Sequence, residues 1–534
     1  MRLMPPVPPA PPAMPDLRWL AALAVASALL QGCNGGGSGQ SIVLGPVAGH
    51  RGNTCMWICP ATPAPAPPPA PAPQADPATA DANLQATWVE IGDNNAAIAR
   101  AITSYTAPAS ATTADANAAC PQITVDGKTT RMTLRAGAGT MALRTTASDP
   151  ADSKPSAFPV SSCETTLPAD AKQAAIGSRT LPLPKAEPQR VLVLADTGCR
   201  LKKADNAYQP CNDSSVWPFA PLAATGAGFN PDLVLHIGDY HYRENVCPDD
   251  IAGCKGSPWG YGWDTWQADF FKPAAPLLAK APWILVRGNH EECARGGQGW
   301  MRFLDPRPYS DKRSCNEPAN DSTGNYSEPY AVQLGTGSQV IVFDSAKAGK
   351  AALKTDDPQF IAYQKQFQTV ATLAAKAGIT TTMFTNHHPI LAFAPIAGST
   401  PASGNLALQS VMGNLNPKAY YPSGVHIALH GHVHDFQALN FATDHPATLV
   451  TGNGGDNLDV ALPDPLPPGT TPAPDVTVDR ITHHSSFGFM MMERKAAPGV
   501  GWTFKAYTVA GKLLATCEQT GRTLACDKTG FLTP

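Results

Sequence analysis

Short apolar runs that stop abruptly at polar residues recur along the C-terminal two thirds of the chain. They lie at Val191–Leu194, Leu233–Ile237, Trp283–Val286, Val340–Phe343, Thr382–Phe384 and Val425–Leu429. Runs of this length are typical of strands that are buried on both faces of a sheet. Segments of helical composition separate several of them, most clearly residues 358–377. The pattern predicts an α/β domain over residues 186–534.

The last apolar runs of this domain follow one another without helices between them. These runs are Thr448–Gly452, Phe487–Glu493, Trp502–Val509 and Lys512–Cys517. Strands that lack crossover helices pair most simply with their neighbours in antiparallel fashion. We therefore expect antiparallel strands that complete a sheet at the C-terminal end.

Residues 84–185 have a different pattern, in which short alternating stretches surround turn residues. Ile123–Val125 and Thr129–Arg135 flank the pair Asp126-Gly127, a dipeptide that favours a hairpin turn. We predict a small all-β domain here, similar to a sandwich, without a catalytic cluster. The preceding residues 34–83 form a linker rich in Gly, Pro and Ala, whose stretch Pro60–Pro77 favours an extended polyproline stalk.

Residues 1–33 have the features of an export signal. Arg18 precedes the apolar run Trp19–Leu30, which is too short to span a bilayer. The run ends in Leu30-Gln31-Gly32-Cys33, which resembles a bacterial lipobox and implies lipidation of Cys33. The alternative is an ordinary signal peptide with a coincidental cysteine. Either way we expect an exported protein, and the lipobox implies an anchor in the bacterial cell envelope.

The cysteine count agrees with export. Without Cys33 the chain has twelve cysteines, an even number, and disulfides are the usual state of cysteines in oxidising compartments. Proximity along the chain suggests these pairs: Cys120–Cys163, Cys199–Cys211, Cys247–Cys254, Cys293–Cys315 and Cys517–Cys526.

Net charge argues against one large class of partner. The chain carries a net charge of −3, and only 15% of its residues are charged. A nucleic-acid-binding domain normally shows a concentrated basic face, and none is evident in the sequence. We expect a small-molecule substrate, and contact with a membrane only through the N-terminal lipid.

The residues that follow five of the apolar runs carry the candidate chemistry. They are Asp196, Gly238-Asp239-Tyr240-His241-Tyr242, Gly288-Asn289-His290-Glu291, Asn386-His387-His388-Pro389 and His430-Gly431-His432-Val433-His434. In open α/β sheets, ligand sites lie beyond the carboxyl ends of the strands. Carboxylate, amide and imidazole groups are the ligands of metals such as Fe, Mn and Zn. Each motif alone has a structural explanation, but their joint order predicts a metal site.

That order resembles the calcineurin-like metallophosphoesterase superfamily over roughly residues 190–515. The matching series is Asp, Gly-Asp, Gly-Asn-His, His-x-Pro and Gly-His-x-His. The resemblance implies a four-layer α/β/β/α sandwich with two metal ions that one carboxylate bridges.

One position departs from the usual pattern of that superfamily. Most members have a histidine ligand two residues after the first aspartate, where this chain has Gly198. Tyr242, three residues after Asp239, resembles the tyrosine that binds Fe(III) in purple acid phosphatases. Alternatively, Tyr242 only packs, and the metal takes water or His241 instead.

The resemblance to purple acid phosphatases implies a set of ligands for each ion. Site one would hold Asp196, Asp239, Tyr242 and His434, and site two would hold Asp239, Asn289, His387 and His432. His387 is preferred to His388 because Pro389 completes the family pattern His-x-Pro after His387. His388 remains a candidate for substrate binding. The ions implied are Fe(III) with a divalent Fe, Zn or Mn, or alternatively two divalent ions such as Mn or Zn.

The same resemblance implies an activity. It is hydrolysis of phosphomonoesters by attack of a metal-bound hydroxide. His290 would help to protonate the leaving group, or would orient neighbouring groups of the site. Glu291 would orient His290 or form a salt bridge. A phosphodiesterase or nucleotidase with two divalent ions is the first alternative. A cell-surface binding module with a vestigial centre is the second.

Overall fold

A computed structural model describes residues 76–106, 116–144, 153–496 and 501–534. The predicted signal and lipobox, with Cys33, and almost all of the predicted linker lie outside these residues. Among the helices in the described ranges, none has the length and apolar character needed to cross a bilayer.

The described residues form strands throughout and seven α-helices. The strands are β1 (Leu84–Ile91), β2 (Ala97–Thr103), β3 (Gln122–Val125), β4 (Lys128–Arg131), β5 (Thr133–Ala136), β6 (Gly139–Met141), β7 (Ser156–Phe158), β8 (Ser161–Thr166), β9 (Ala174–Ile176), β10 (Arg179–Thr180), β11 (Arg190–Leu194), β12 (Leu201–Lys202), β13 (Ala207–Tyr208), β14 (Leu233–Ile237), β15 (Trp283–Val286), β16 (Tyr330–Gln333), β17 (Ser338–Val342), β18 (Thr381–Thr385), β19 (Ile427–His430), β20 (Phe436–Phe441), β21 (Ala447–Thr451), β22 (Val478–His484), β23 (Gly488–Arg494), β24 (Trp502–Thr508), β25 (Leu513–Thr520), β26 (Thr523–Cys526) and β27 (Gly530–Phe531). The helices are α1 (Phe219–Gly228), α2 (Trp263–Trp266), α3 (Ala275–Leu278), α4 (Gly297–Phe303), α5 (Asp321–Gly324), α6 (Pro358–Ala374) and α7 (Leu406–Leu415).

Two large sheets contain most of these strands. The larger has the order β26-β25-β24-β23-β11-β14-β15-β1-β2-β8-β5, and the smaller has the order β16-β17-β18-β19-β21-β20-β22-β27. The predicted strands all occur, within a few residues of their expected ends. Strands β11, β14 and β15 run parallel, as do β17, β18, β19 and β21, so their carboxyl ends lie at common edges.

Successive side chains of each central strand face opposite sides of its sheet, and the two sheets with their outer helices form four layers. Val191 and Val193 enter the core shared by the two sheets, whereas Leu192 and Leu194 face the core under α1 and α3. In the smaller sheet, Val340 enters the shared core and Ile341 packs beneath α6 and α7. The predicted α/β/β/α sandwich is confirmed because every central strand has apolar residues on both faces.

The C-terminal strands follow the prediction with one exception. β23, β24 and β25 pair in antiparallel fashion, and β23 joins them to β11. β21 pairs in antiparallel fashion with β20, as predicted, but its other neighbour, β19, runs parallel to it. The hairpin partner β20, which the apolar pattern did not reveal, lies between β21 and β22 and supplies the antiparallel pairing.

The all-β region of residues 84–185 differs from the predicted separate sandwich. β1 pairs with β15 in parallel fashion, so β1, β2, β8 and β5 extend the larger sheet of the α/β region. Residues 71–534 form one compact unit. One apolar face of β1 and β2 packs under the helical layer, where Trp88 contacts Phe271, and the other, with Val89 and Ala99, enters the core shared by the two sheets.

All five predicted disulfides form. They are Cys120–Cys163, Cys199–Cys211, Cys247–Cys254, Cys293–Cys315 and Cys517–Cys526. Their number is consistent with an exported protein, because disulfides persist in oxidising compartments. Cys199–Cys211 fixes the loop that directly follows Asp196.

A buried ionic cluster ties the N-terminal strands to the loop after α4. The Arg100 guanidinium is fully buried, donates to the C=O groups of Phe303 and Asp305 at 3.0 and 2.8 Å, and lies 3.5 Å from Glu90. Burial raises the pKa of Glu90 to about 7, although the charge of Arg100 opposes the shift. The Glu90 carboxylate therefore depends on Arg100 for compensation.

Replacing Arg100→Ala is expected to lower the free energy of unfolding by about 3–5 kcal/mol, because it leaves Glu90 and two backbone C=O groups buried without their partner. Urea unfolding measures the loss. The control is Lys365→Ala, which removes an exposed pair with Glu328 and should cost less than about 1 kcal/mol. Equal effects of the two substitutions would contradict a structural role for the cluster.

Candidate metal centre

Three of the predicted ligands lie two residues beyond the ends of strands and have left-handed backbone conformations. Asp196 follows β11 with φ 56°, Asp239 follows β14 with φ 57°, and His432 follows β19 with φ 69°. This conformation costs about 1–2 kcal/mol for a residue with a Cβ, and such strain concentrates at functional sites. Here it turns each chain sharply at the sheet edge, where the three side chains meet.

The Tyr242 hydroxyl lies at the centre of the predicted site one. Its oxygen is 2.7 Å from Asp196 Oδ1, 2.8 Å from Asp239 Oδ2 and 3.1 Å from His434 Nε2. A phenol has one proton and can donate to only one carboxylate. The other carboxylate therefore needs a positive charge nearby, and a cation among these four groups would supply it.

The predicted site two shares Asp239 with site one. His387 Nε2 lies 3.1 Å from Asp239 Oδ2 and 3.1 Å from Asn289 Oδ1, and His432 Nδ1 lies 2.9 Å from Asn289 Oδ1. Asp239, His387 and His432 offer ligand atoms that all lie within 4.8 Å of one another. Asp239 Oδ1 accepts the backbone N–H of His290 at 2.8 Å, which leaves Oδ2 as the atom that faces both sites.

Backbone contacts orient two of the histidines. Nδ1 of His387 lies 2.8 Å from the C=O of Ile237, and Nδ1 of His434 lies 2.7 Å from the C=O of Asn457. Donation from Nδ1 to these C=O groups directs Nε2 at the carboxylates and leaves it as the nitrogen that can bind a metal, as in metal-binding histidines.

The electrostatics of the site favour a positive charge. Burial lowers the pKa of His387, but the carboxylates of Asp239 and Asp196 outweigh it and raise the pKa to about 9. For His434, Asp456 and Asp196 likewise outweigh burial and raise the pKa to about 10. Burial and the two carboxylates raise the pKa of Tyr242 well above its usual value, so a phenolate here requires a cation. The donor set therefore fits metal ions.

Gly198 explains the departure from the superfamily pattern. A Cβ at this position would lie 2.8 Å from the backbone N of Tyr242 and 2.9 Å from Tyr242 Cδ2. Such approaches are closer than atomic radii allow, so a histidine cannot occupy position 198 while Tyr242 is in place. The tyrosine fills the space beside Asp196 that the histidine would use.

His290 lies against the Tyr242 ring, with the two centroids 3.9 Å apart. Its Nδ1 is 2.8 Å from Glu244 Oε1, and Arg295 Nη2 is 2.7 Å from the ring nitrogens and also bonded to Glu244. Burial and the charge of Arg295 lower the pKa of His290 to about 3, although Asp239 and Glu244 oppose the shift. Glu244, rather than Glu291, orients this histidine.

Glu291 instead supports the bridging position. Its carboxylate accepts the backbone N–H groups of Asp239, Tyr240 and Gly288 at 3.0, 2.9 and 3.1 Å. It thereby fixes the loops that carry Asp239 and Asn289 relative to each other.

Two other candidate histidines lie in different surroundings. His388 lies beside the centre, with its ring centroid 4.3 Å from that of His432 and its Nδ1 3.1 Å from the Ser345 hydroxyl. His241 packs between Tyr261 and Trp266, away from the carboxylates, which argues against it as a replacement ligand. The role of His388 as a substrate contact and that of His241 as a replacement ligand stay predictions.

Sequence reasoning missed several supporting residues. Asp269 accepts the backbone N–H groups of Tyr242 and Cys199 at 2.9 and 3.2 Å and pairs with Arg243. Asp456 lies 3.5 Å from His434 Nδ1 and binds Arg200. None of these residues belongs to a recurring motif, and Asp269 lies in a π-helical turn, Gln267–Phe271, far along the chain from its partners. Spacing alone offered no signal for them.

Comparison with known proteins agrees with this geometry. Residues 189–436 match the family model of the calcineurin-like phosphoesterases. Purple acid phosphatase 15 of Arabidopsis thaliana is 23% identical over 326 residues, an alignment that covers 57% of this chain and 52% of the relative. The chain thus spans about half the length of that curated relative.

Two solved structures are similar at low sequence identity. Purple acid phosphatase PPD1 from seeds of yellow lupin, Lupinus luteus, has a TM-score of 0.46 and 14% identity, with 80% of this chain and 73% of that chain covered. The structure of PhoD has a TM-score of 0.47 and 10% identity, with 86% and 94% covered. The match over residues 189–436 identifies that part of the chain as a calcineurin-like phosphoesterase region, and the chain is similar in sequence to a purple acid phosphatase.

Proposed function

We propose that the chain is an exported phosphatase that hydrolyses phosphomonoesters with two metal ions. Fe(III) would lie at the site of Tyr242, and a divalent Fe, Zn or Mn ion would lie at the other site. Membership of the superfamily indicates a metal-dependent phosphoric ester hydrolase. The observation that carries the finer proposal is the approach of Asp196, Asp239 and His434 to one phenol oxygen.

Tyr242 favours a trivalent ion at its site. A phenolate is a hard anionic donor, and with the carboxylates of Asp196 and Asp239 it brings three negative charges to one position. A trivalent cation balances that charge, whereas a divalent ion would leave an excess in a buried environment. His434 would complete the set through Nε2.

Asn289, His387 and His432 offer site two neutral donors. They add no charge to that of the shared Asp239 carboxylate, which is already counted at the site of Tyr242, and such a neutral set suits a divalent rather than a trivalent ion. When bound, the two ions would supply an activated water and neutralise charge on the phosphoryl group. Asp239, whose Oδ2 lies near donors of both sets, would be the residue that the two sites share.

His290 is positioned to assist the leaving group. Its Nε2 lies 3.9 Å from Asp239 Oδ2, so the imidazole is at the edge of the centre rather than among the ligands. Glu244 holds Nδ1, which fixes the ring orientation, and its charge favours the imidazolium against burial and Arg295, which lower the pKa of His290.

Export and anchoring complete the proposal. Five disulfides suit an oxidising compartment, and the lipobox-like sequence before Cys33 supports a lipid anchor. The stalk rich in Pro and Ala would hold the catalytic region away from the membrane surface.

The pure protein is expected to be purple or pink, because a tyrosinate bound to Fe(III) absorbs visible light, and Tyr242→Phe should abolish the colour. Metal analysis with a visible spectrum provides the measurement. The control is Tyr240→Phe, a buried tyrosine two residues earlier whose hydroxyl bonds to backbone C=O groups outside the centre. This control should keep the band.

Other outcomes separate the alternatives. A colourless, active protein that contains only Mn or Zn would defeat the Fe(III) assignment and leave the superfamily intact. Faster turnover of a diester than of a monoester would point to a phosphodiesterase. No turnover with any metal would indicate a binding module.

Substituting His290→Ala is expected to lower kcat about 10²–10⁴-fold for an alkyl phosphate and far less for p-nitrophenyl phosphate, whose leaving group needs no proton. Glu244→Gln should show the same dependence on the leaving group with a smaller loss. Metal content is measured in parallel and should be unchanged. An equal loss on both substrates would rule out proton donation and leave an orienting role.

Cys33→Ser is expected to move the protein from the membrane fraction to the soluble exported fraction, because the lipid attachment site is lost. Fractionation of the producing bacterial cells with immunodetection provides the measurement. A protein that is soluble before the substitution would support the ordinary signal peptide instead.

A further inference from the structure

Arg200 covers the ring of Tyr242. Its guanidinium carbon lies 4.9 Å from the ring centroid, and its side chain is 16% exposed. Neither the motifs nor the ligand set account for this residue. A cation over an aromatic face is attracted by the ring, and the attraction grows when the pair is shielded from water.

The surrounding structure holds the guanidinium in place. Asp456, which is fully buried, accepts from Arg200 Nε at 3.0 Å and from Nη2 at 2.5 Å, and Asp205 lies 3.3 Å from Nη1. The backbone N–H of Arg200 donates to Gln209 Oε1 at 3.0 Å. The arginine is therefore fixed before any metal binds.

The same network reaches the first ligand of the centre. The backbone N–H of Asp456 donates to the C=O of Asp196 at 2.9 Å. The disulfide Cys199–Cys211 pins the residue that precedes Arg200. Asp196, Tyr242 and Arg200 are thus held relative to one another by short contacts.

We infer that Arg200 is a positioning residue for Tyr242 that fixes the ring and stabilises its phenolate form in the Fe(III) site. The inference rests on the proposed function. A phenolate spreads its negative charge over the ring, so a cation above the ring stabilises the phenolate more than the neutral phenol. Loss of Arg200 would also leave the Asp456 charge unopposed, which destabilises the phenolate further.

The test uses the full-length protein loaded with iron. Arg200→Gln should shift the tyrosinate-to-Fe(III) band to longer wavelength, because a less stable phenolate gives up an electron to iron more easily. Release of iron to a chelator should become about tenfold faster, the factor that corresponds to a partly shielded cation–π contact. Arg200→Lys keeps the charge but not the planar group, and should show a smaller shift in the same direction.

The matched control is Arg494→Gln. Its guanidinium carbon lies 4.8 Å from the Trp502 ring centroid, a similar contact outside the centre. This variant should leave the band and the rate of iron release unchanged.

The outcomes are distinguishable. A band in the unmodified protein that neither Arg200 variant moves would overturn the inference and leave the proposed function standing. If Arg200→Gln does not fold, the shift of Arg200→Lys decides. A protein without any band overturns the Fe(III)–tyrosinate proposal, and the inference with it.

Discussion

The convergence of two buried carboxylates on one phenol oxygen is the constraint on which the catalytic region depends. Asp196 and Asp239 are almost completely buried, and both lie within 2.8 Å of the Tyr242 oxygen. Taking a carboxylate out of water costs several kcal/mol per ion in a protein interior. The surrounding structure holds the groups together despite this cost, through left-handed turns at the strand ends and through backbone donors aimed at the carboxylates.

That constraint also explains why the scaffold is so extensive. The carboxyl ends of five strands from the two sheets must lie close together. Each of these strands is held in place by apolar residues on both of its faces. Glu291 and Asp269 then link neighbouring loops through backbone N–H groups rather than through the metal ligands themselves. The ligand positions are thus set by the protein, which is how preorganised centres avoid rearrangement when an ion binds.

Prediction from sequence was strongest where one physical rule dominated. Buried strands with apolar residues on both faces identified β11, β14 and β15, and the strand-end motifs identified the side chains that now lie together. The rule was weaker for residues 84–185, because alternation shows that a strand has two faces but not which sheet it joins. Only the packing of β1 beside β15 reveals the shared sheet. Supporting groups such as Glu244, Asp269 and Asp456 could not be predicted, since their partners are distant in sequence and each is a common residue type.

The replacement of the usual histidine ligand by a tyrosine depends on local packing and changes the type of donor at the site. Gly198 leaves room for the Tyr242 ring, and the ring brings an anionic oxygen where the superfamily usually has a neutral nitrogen. Anomalous X-ray diffraction at the iron absorption edge tests this most directly. The account predicts an iron peak between the Tyr242 oxygen, Asp196, Asp239 and His434. A peak for zinc or manganese alone at that position, with the Tyr242 hydroxyl turned away from it, would contradict the account.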